Sequence, residues 1–248
     1  MLTSQYTSLW FSRLTAIKRR CVDWLFPQMC LVCHTLSHQS LPICQACTAD
    51  LPWLHHYCQQ CGYPLPDASD HHYCGHCLTH WQPDVRFYGL FSYQSPIRQL
   101  LYQLKFQQRL IVAQLLGTLF AKTLLQSYPQ PSDYPQLILP IPLHPRRIRQ
   151  RGYNQALEIA KPISHHLNIP LSYHDCHRRK HTHAQATLPA ALRQQNIAHA
   201  FQIDPLSVDH VAVIDDIYTT GLTSLTFIQS LRRQGIRQID LWIAARAL

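Results

Sequence analysis

The sequence predicts a doubly wound α/β domain on a parallel sheet, preceded by a small, cysteine-rich, metal-bound module. Three observations lead there. Across the carboxyl-terminal two thirds, short apolar runs suited to strands buried on both faces alternate with stretches of helical spacing. One run, residues 211–214, stops at the adjacent carboxylates Asp215 and Asp216 and is followed by Thr219-Thr220-Gly221-Leu222-Thr223. Eight of the ten cysteines fall into four Cys-x-x-Cys pairs within the first third of the chain.

Composition sets the outer limits. The 248 residues are 46% hydrophobic, ample for a core, and Lys plus Arg outnumber Asp plus Glu by 22 to 13. A formal charge of +9 favours polyanionic partners such as nucleic acid or phosphorylated metabolites. The 17 histidines add positive charge below about pH 6.5. No uninterrupted apolar stretch approaches the roughly 18 residues of a membrane span. Residues 1–20 carry Trp10, Phe11, Leu14 and Ile17 but are broken by Arg13 and Lys18, and they lack the apolar core and cleavage site of a signal peptide. They read as an amphipathic helix packed on its own protein, with transient membrane contact as the alternative. The expectation is a cytoplasmic protein with no stable membrane anchor.

The cysteine pairs are Cys30/Cys33, Cys44/Cys47, Cys58/Cys61 and Cys74/Cys77. Two residues between thiolates make a tight knuckle in which both sulfurs reach one ion, and two knuckles complete a tetrahedral zinc site. The simplest expectation is two successive structural zinc ribbons. Spacing does not fix which knuckles share a metal, so crossed pairing, first with third and second with fourth, stays open. Four pairs in series, outside any thioredoxin-like context, argue for metal over redox chemistry. His71, His72, His76 and His80 lie close by, but a full set of eight thiolates does not need them. Cys21 and Cys176 have no partner at useful spacing and read as buried small hydrophobes. The expected organisation is an amphipathic helix over 1–25, a double ribbon over 26–82 and the α/β domain over 83–248.

Along that domain, residues 85–93 read as a strand or hairpin arm. Residues 97–106 have helical spacing through Ile97, Leu100, Leu101 and Leu104 and carry Lys105. A second apolar helix is expected over 110–125, then an exposed proline-rich loop over 127–135. Residues 137–143 suit a second buried strand that ends in an unusual loop. That loop, 144–153, holds Arg146, Arg147, Arg149 and Arg151, whose guanidiniums suit forked hydrogen bonds to a polyphosphate. A solvated basic turn is the plain alternative. A helix over 154–167 and a short strand near 169–173 follow. The basic stretch His177-Arg178-Arg179-Lys180-His181-Thr182-His183 reads as a flap or a nucleic-acid contact, and a last strand over 239–244 closes the sheet.

At the end of the 211–214 run, a carboxylate pair beside small hydroxyl residues and one glycine at a helix start suits a ligand with a sugar diol and a phosphate. The stretch resembles the ribose-5-phosphate loop of the type I phosphoribosyltransferases, which bind phosphoribosyl pyrophosphate (PRPP). In that family the acidic residues face the ribose hydroxyls and the Thr-Thr-Gly-x-Thr turn holds the 5′-phosphate. The loop matches at Asp215, Asp216, Thr219, Thr220, Gly221 and Thr223.

A wider resemblance covers nearly the whole chain from Leu25. Leu25-Phe26-Pro27 before the cysteine knuckles, Lys105 in an early helix, Arg149-Gln150-Arg151-Gly152-Tyr153-Asn154-Gln155, a Thr/Gln then Arg/Asn stretch and the loop recur in the order of the ComF family, also called ComFC or GntX-like proteins. The resemblance implies a pocket that includes Lys105, Arg151, Asn154, Gln155, Gln185, Arg193 and Asn196 besides the loop, with Arg147 among the guanidiniums nearby. It implies PRPP with Mg²⁺, natural competence and the handling of incoming single-stranded DNA. Asp215, Asp216 and Arg151 would carry any phosphoribosyl transfer. Leu222 stands where alanine is frequent, and the histidine-rich stretch before Gln185 is unusual. The alternative is a non-catalytic module that binds single-stranded DNA through its basic face and Tyr102, Phe106 and Tyr153. A third reading has the zinc module dock a competence helicase or another uptake protein.

Overall fold

The computed structural model describes residues 28–37, 39–66, 71–80, 85–179 and 200–248. The amphipathic segment at 1–20, the Leu25-Phe26-Pro27 motif, Cys21 and the basic residues Lys180 to His183 lie outside them, as do Gln185, Arg193 and Asn196. Contacts divide the chain into two units, residues 1–51 and 52–248.

The smaller unit holds β1 (Gln28–Met29) and β2 (Leu36–Ser37), an antiparallel pair joined through the Cys30–Cys33 knuckle, and α1 (Gln45–Ala49). Its knuckle closes through the Cys30 N–H to the Thr35 carbonyl at 2.8 Å. Cys44 caps α1, its sulfur accepting from the Cys47 N–H.

The larger unit begins with the second pair of knuckles and α2 (Gly75–Thr79). It continues through β3 (Val85–Ser92), α3 (Ile97–Phe106), α4 (Leu110–Ser127), β4 (Leu137–Pro140), α5 (Pro145–Arg151) and α6 (Gln155–Leu167). After β5 (Cys176–Arg178) and β6 (Phe201–Ile203) come β7 (His210–Tyr218), α7 (Leu222–Arg233) and β8 (Gln238–Arg246). Four strands form one sheet in the order β3-β8-β7-β4, every neighbour parallel. Strands β5 and β6 pair antiparallel apart from it.

Helices cover both faces, as a doubly wound sheet requires. On one face Phe227, Ile228 and Leu231 of α7 bury against Val211, Val213, Leu241 and Ile243. On the other, Phe120 of α4 meets Trp242 at 6.4 Å between ring centroids. There α6 presses its Ile159 carbonyl and Pro162 ring so close to Gly117 that any side chain would collide. Helix α4 is long and apolar enough to cross a membrane by length and composition alone, at a mean hydropathy of 1.4, yet most of it is buried inside this domain. Beneath the sheet, the fully buried Asp240 accepts from Tyr128 Oη at 2.5 Å and lies 2.9 Å from His210 Nε2, while Trp242 Nε1 donates to Tyr128 Oη.

Three expectations change. Strand β7 does not stop at the carboxylates: its pairing with β8 runs on through Asp215, Ile217 and Tyr218. The arginine-rich segment is mostly helical, started by Pro145 after the capping His144 and stopped by the left-handed Gly152. Residues 169–173 contribute one bridge, Leu171 to Ile138, rather than a strand. Of the two readings of residues 85–93 the strand holds, and β3 pairs in parallel with β8. Cys176 is buried, as a small hydrophobe would be.

Candidate functional site

Strands β4 and β7 are neighbours, and the helices that follow them depart to opposite faces, which opens a crevice beyond their carboxyl ends. Asp215 and Asp216 stand on β7 at that crevice. The backbone N–H of Asp216 donates to Asp215 Oδ1 at 2.9 Å, which fixes the Asp215 carboxyl against its neighbour's backbone. Asp216 is nearly buried and pairs with Lys105 Nζ at 2.7 Å. Asp215 is relieved less, by the Asp216 N–H and the Lys105 charge. Burial, then the neighbouring Asp216 charge, push its carboxyl up to about 8.

The turn after the carboxylates leaves Thr219 and Thr220 exposed and buries Gly221 at φ 73°. Gly221 is required twice over. Its φ is left-handed, and a Cβ there would meet Tyr218 Oη at 2.1 Å. Helix α7 opens directly after it, with Thr223 in the first turn and Leu225 N–H making an early helical bond back to the Gly221 carbonyl. The amides before Leu225 have no intrahelical acceptor and point along the helix axis toward the turn, a suitable cradle for an anion.

The end of α3 brings the acidic pair and the arginine segment together. Lys105 reaches Asp216, the next residue Phe106 lies under the Arg151 guanidinium at 5.7 Å, and the Leu104 carbonyl accepts from Tyr153 Oη. Arg151 also donates to Gln155 Oε1 at 2.6 Å. Asn154 caps α6 by accepting from the Ala156 N–H, and its Nδ2 donates to the Ile141 carbonyl at 2.9 Å. Asn154 and Gln155 therefore shape the turn that presents Arg151. Arg147 is exposed on α5, and its charge is felt at Arg178.

Sequence reasoning missed two residues. Arg178, on β5, is half-buried, its guanidinium over Phe201 at 5.4 Å and within electrostatic reach of both Arg147 and Asp215. Only its place in the basic run drew notice. Arg246, at the end of β8, donates to the Thr219 carbonyl of the turn at 2.8 Å. No motif marks it.

The cysteines form two quartets, Cys30/Cys33/Cys44/Cys47 and Cys58/Cys61/Cys74/Cys77, each with its sulfurs within 4.8 Å of one another. The pairing is successive, and the crossed arrangement is excluded. Cys33 to Cys44 and Cys61 to Cys74 are each 3.7 Å between sulfurs. Tetrahedral zinc with Zn–S near 2.3 Å puts sulfurs about 3.8 Å apart, whereas a disulfide needs about 2.05 Å. Two structural zinc ions fit, one per quartet.

Residues 21–78 match the double zinc ribbon domain family. The DNA utilization protein YhgH of Salmonella typhimurium is 32% identical over 227 residues, 90% of this chain and 98% of that protein. Competence protein F of Haemophilus influenzae is 32% identical over 77% of this chain and 85% of its own. Among solved structures, adenine phosphoribosyltransferase from Leishmania tarentolae overlaps 66% of this chain and 93% of its own at 14% identity and a TM-score of 0.31, too slight a likeness to carry an argument.

Proposed function

The chain belongs to the ComF family, and we propose that it binds PRPP or a related ribose phosphate at the carboxyl end of β7, in the service of DNA uptake or the use of incoming DNA. One observation carries this reading: the acidic pair Asp215/Asp216 and the exposed Thr219–Thr220 turn sit at one strand end, with a left-handed Gly221 opening the helix behind them. The ribose hydroxyls would face the acidic pair, and the 5′-phosphate would take the amides of the turn. Arg151, held over Phe106 and by Gln155, would face the pyrophosphate, with Arg147 adding positive charge from the same helix. Mg²⁺ carried by the pyrophosphate would neutralise its charge beside Asp215. The reaction that suits this arrangement is phosphoribosyl transfer: the C1–pyrophosphate bond breaks with positive charge on the ribose, and an acceptor nucleophile forms the new bond. Catalysis would be positioning and electrostatics.

Calorimetry with PRPP and Mg²⁺ on zinc-replete protein at pH 8.5, where Asp215 is largely ionised, tests the reading. Micromolar affinity that falls at least about tenfold in Asp215→Asn, a loss of roughly 1.4 kcal/mol, is expected. An absence of heat in the wild type would end it.

A second reading is favoured by an exposed aromatic pair. Tyr102 and Phe106 are 55% and 62% exposed, their rings 4.9 Å apart, with Arg151 over Phe106. Apolar rings facing water beside a guanidinium suit stacked bases of single-stranded DNA. Phe106→Ala should weaken binding of an unstructured oligonucleotide by about tenfold, in line with roughly 1–3 kcal/mol per stacked base. Asp215→Asn should leave that binding within about twofold. The reverse pattern would place DNA at the acidic pair instead.

A further inference from the structure

Arg246 gathers carbonyls from two distant segments. Its Nε donates to the Cys61 carbonyl at 3.1 Å, and its Nη1 donates to the Tyr218 and Thr219 carbonyls at 3.1 and 2.8 Å. The same guanidinium lies over the Tyr218 ring, 4.9 Å from its centroid. Cys61 belongs to the second cysteine quartet, and Thr219 belongs to the turn after the acidic pair. An aromatic bridge runs beside this clamp. The Phe87 ring lies against Gly62, the Tyr218 ring lies against Gly221, and the two rings meet edge to face at 5.5 Å. Between the second ribbon and the turn there is a cavity of about 320 Å³, lined in part by Cys77, Leu225 and Arg246, so at this place the clamp spans open space although Phe87 and Tyr218 belong to the buried core.

We propose that Arg246 is a positioning residue that ties the second cysteine quartet to the Thr219 turn, so that zinc in that quartet holds the turn in its phosphate-receiving conformation. Four zinc–sulfur bonds fix the backbone at Cys61 and therefore the direction of its carbonyl. A planar guanidinium spans carbonyls on both sides only while both stay in place. Without the metal, Cys61 is free to turn away, Arg246 loses its anchor on the ribbon, and the turn before Gly221 is held less firmly. Linkage makes the effect reciprocal: an anion that orders the turn slows zinc release from the second quartet and leaves the first alone. The consequence for ligands rests on the proposed function. The tie itself does not.

Hydrogen exchange on the full, zinc-loaded chain tests it, with the amides of α4 as an internal reference. Arg246→Gln should keep two zinc ions per chain yet speed exchange of the turn's hydrogen-bonded amides, Leu225 to the Gly221 carbonyl and Ala247 to the Tyr218 carbonyl, at least about tenfold, the change expected when charge-assisted hydrogen bonds that hold the turn are lost. Cys77→Ser should hold one zinc and show the same local loosening. Unchanged turn protection in Arg246→Gln overturns the tie. Intact protection in a Cys77→Ser chain that has lost one zinc overturns the role of the metal. Where Cys77→Ser opens α4 as well, zinc release decides: a chelator should strip one of the two ions from Arg246→Gln several-fold faster than from wild type, and equal rates overturn the proposal. Neither readout needs a ribose phosphate, so a chain that bound none would still pass or fail.

Discussion

Gly62→Ala is expected to destabilise the larger unit by about 2–5 kcal/mol, the sum of a left-handed backbone penalty of roughly 1–2 and an overpacking cost of roughly 1–3. Gly62 has φ 68°, and a Cβ on it would meet Phe87 Cε1 at 2.2 Å and Cζ at 2.3 Å. The ring has little room to move. It packs edge to face on Tyr218 at 5.5 Å and on Tyr57 at 5.8 Å, and its own N–H donates to the Gln59 carbonyl at 2.6 Å. Any shift of Phe87 is passed to Tyr218, which lies under Gly221. Gly221→Ala should therefore cost a similar amount and also abolish PRPP binding, because it distorts the turn itself. At about 2–4 °C per kcal/mol for a chain of this size, thermal scans at fixed zinc content should show a midpoint drop of at least about 4 °C for Gly62→Ala. A drop below 2 °C would mean that the ring slides aside at little cost, and that the glycines are incidental.

The same contacts explain what the sequence could and could not reveal. Helix α3 was legible to the residue, because Ile97, Leu100, Leu101 and Leu104 mark its buried face without ambiguity. The four knuckles were legible because thiolate spacing is a local chemical property, whereas which two share a metal came only from the fold. The end of β7 was not. The apolar run ceases at Ile214, yet the strand continues because β8 offers backbone partners as far as Arg246, a tertiary cause with no local trace. In the arginine segment the signal was present, proline at the helix start and glycine past its end, but four cationic side chains suggested a loop. The second ribbon reads in sequence as part of one cysteine module, while its backbone bonds from Phe87 N–H to Gln59 and from Leu54 N–H to Leu90 place it in the unit that holds the sheet. Arg178 and Arg246 belong to no motif, and each matters only through partners far away in the chain.

Asp215→Asn should raise the thermal midpoint at pH 8.5 while it weakens PRPP binding, and the two effects have one origin. A folded-state value near 8, against an ordinary 3.8, means that the native protein holds a proton there that the unfolded chain gives up. Protons bound in the native state exceed those in the unfolded state between these values, so stability falls as pH rises from about 4 to about 8. Asparagine carries no charge to bury and removes that slope. The variant should melt at least about 2 °C above wild type at pH 8.5, the shift that roughly 1 kcal/mol brings, and level with it near pH 4. Lys105→Met should act in the opposite direction. It leaves Asp216 nearly buried without its 2.7 Å partner and should lower stability by about 2–4 kcal/mol near neutral pH. Ligand binding completes the argument. On the proposed reading Mg²⁺ would lie beside Asp215 and favour the ionised carboxyl, so binding of Mg²⁺–PRPP should release close to one proton per site near pH 7. That release is visible as a dependence of calorimetric heat on the ionisation enthalpy of the buffer, in excess of the release shown by Asp215→Asn. Equal release by both proteins, together with equal melting at pH 8.5, would mean that Asp215 is ionised in the free protein and that the acidic pair stores no cost for the ligand to relieve.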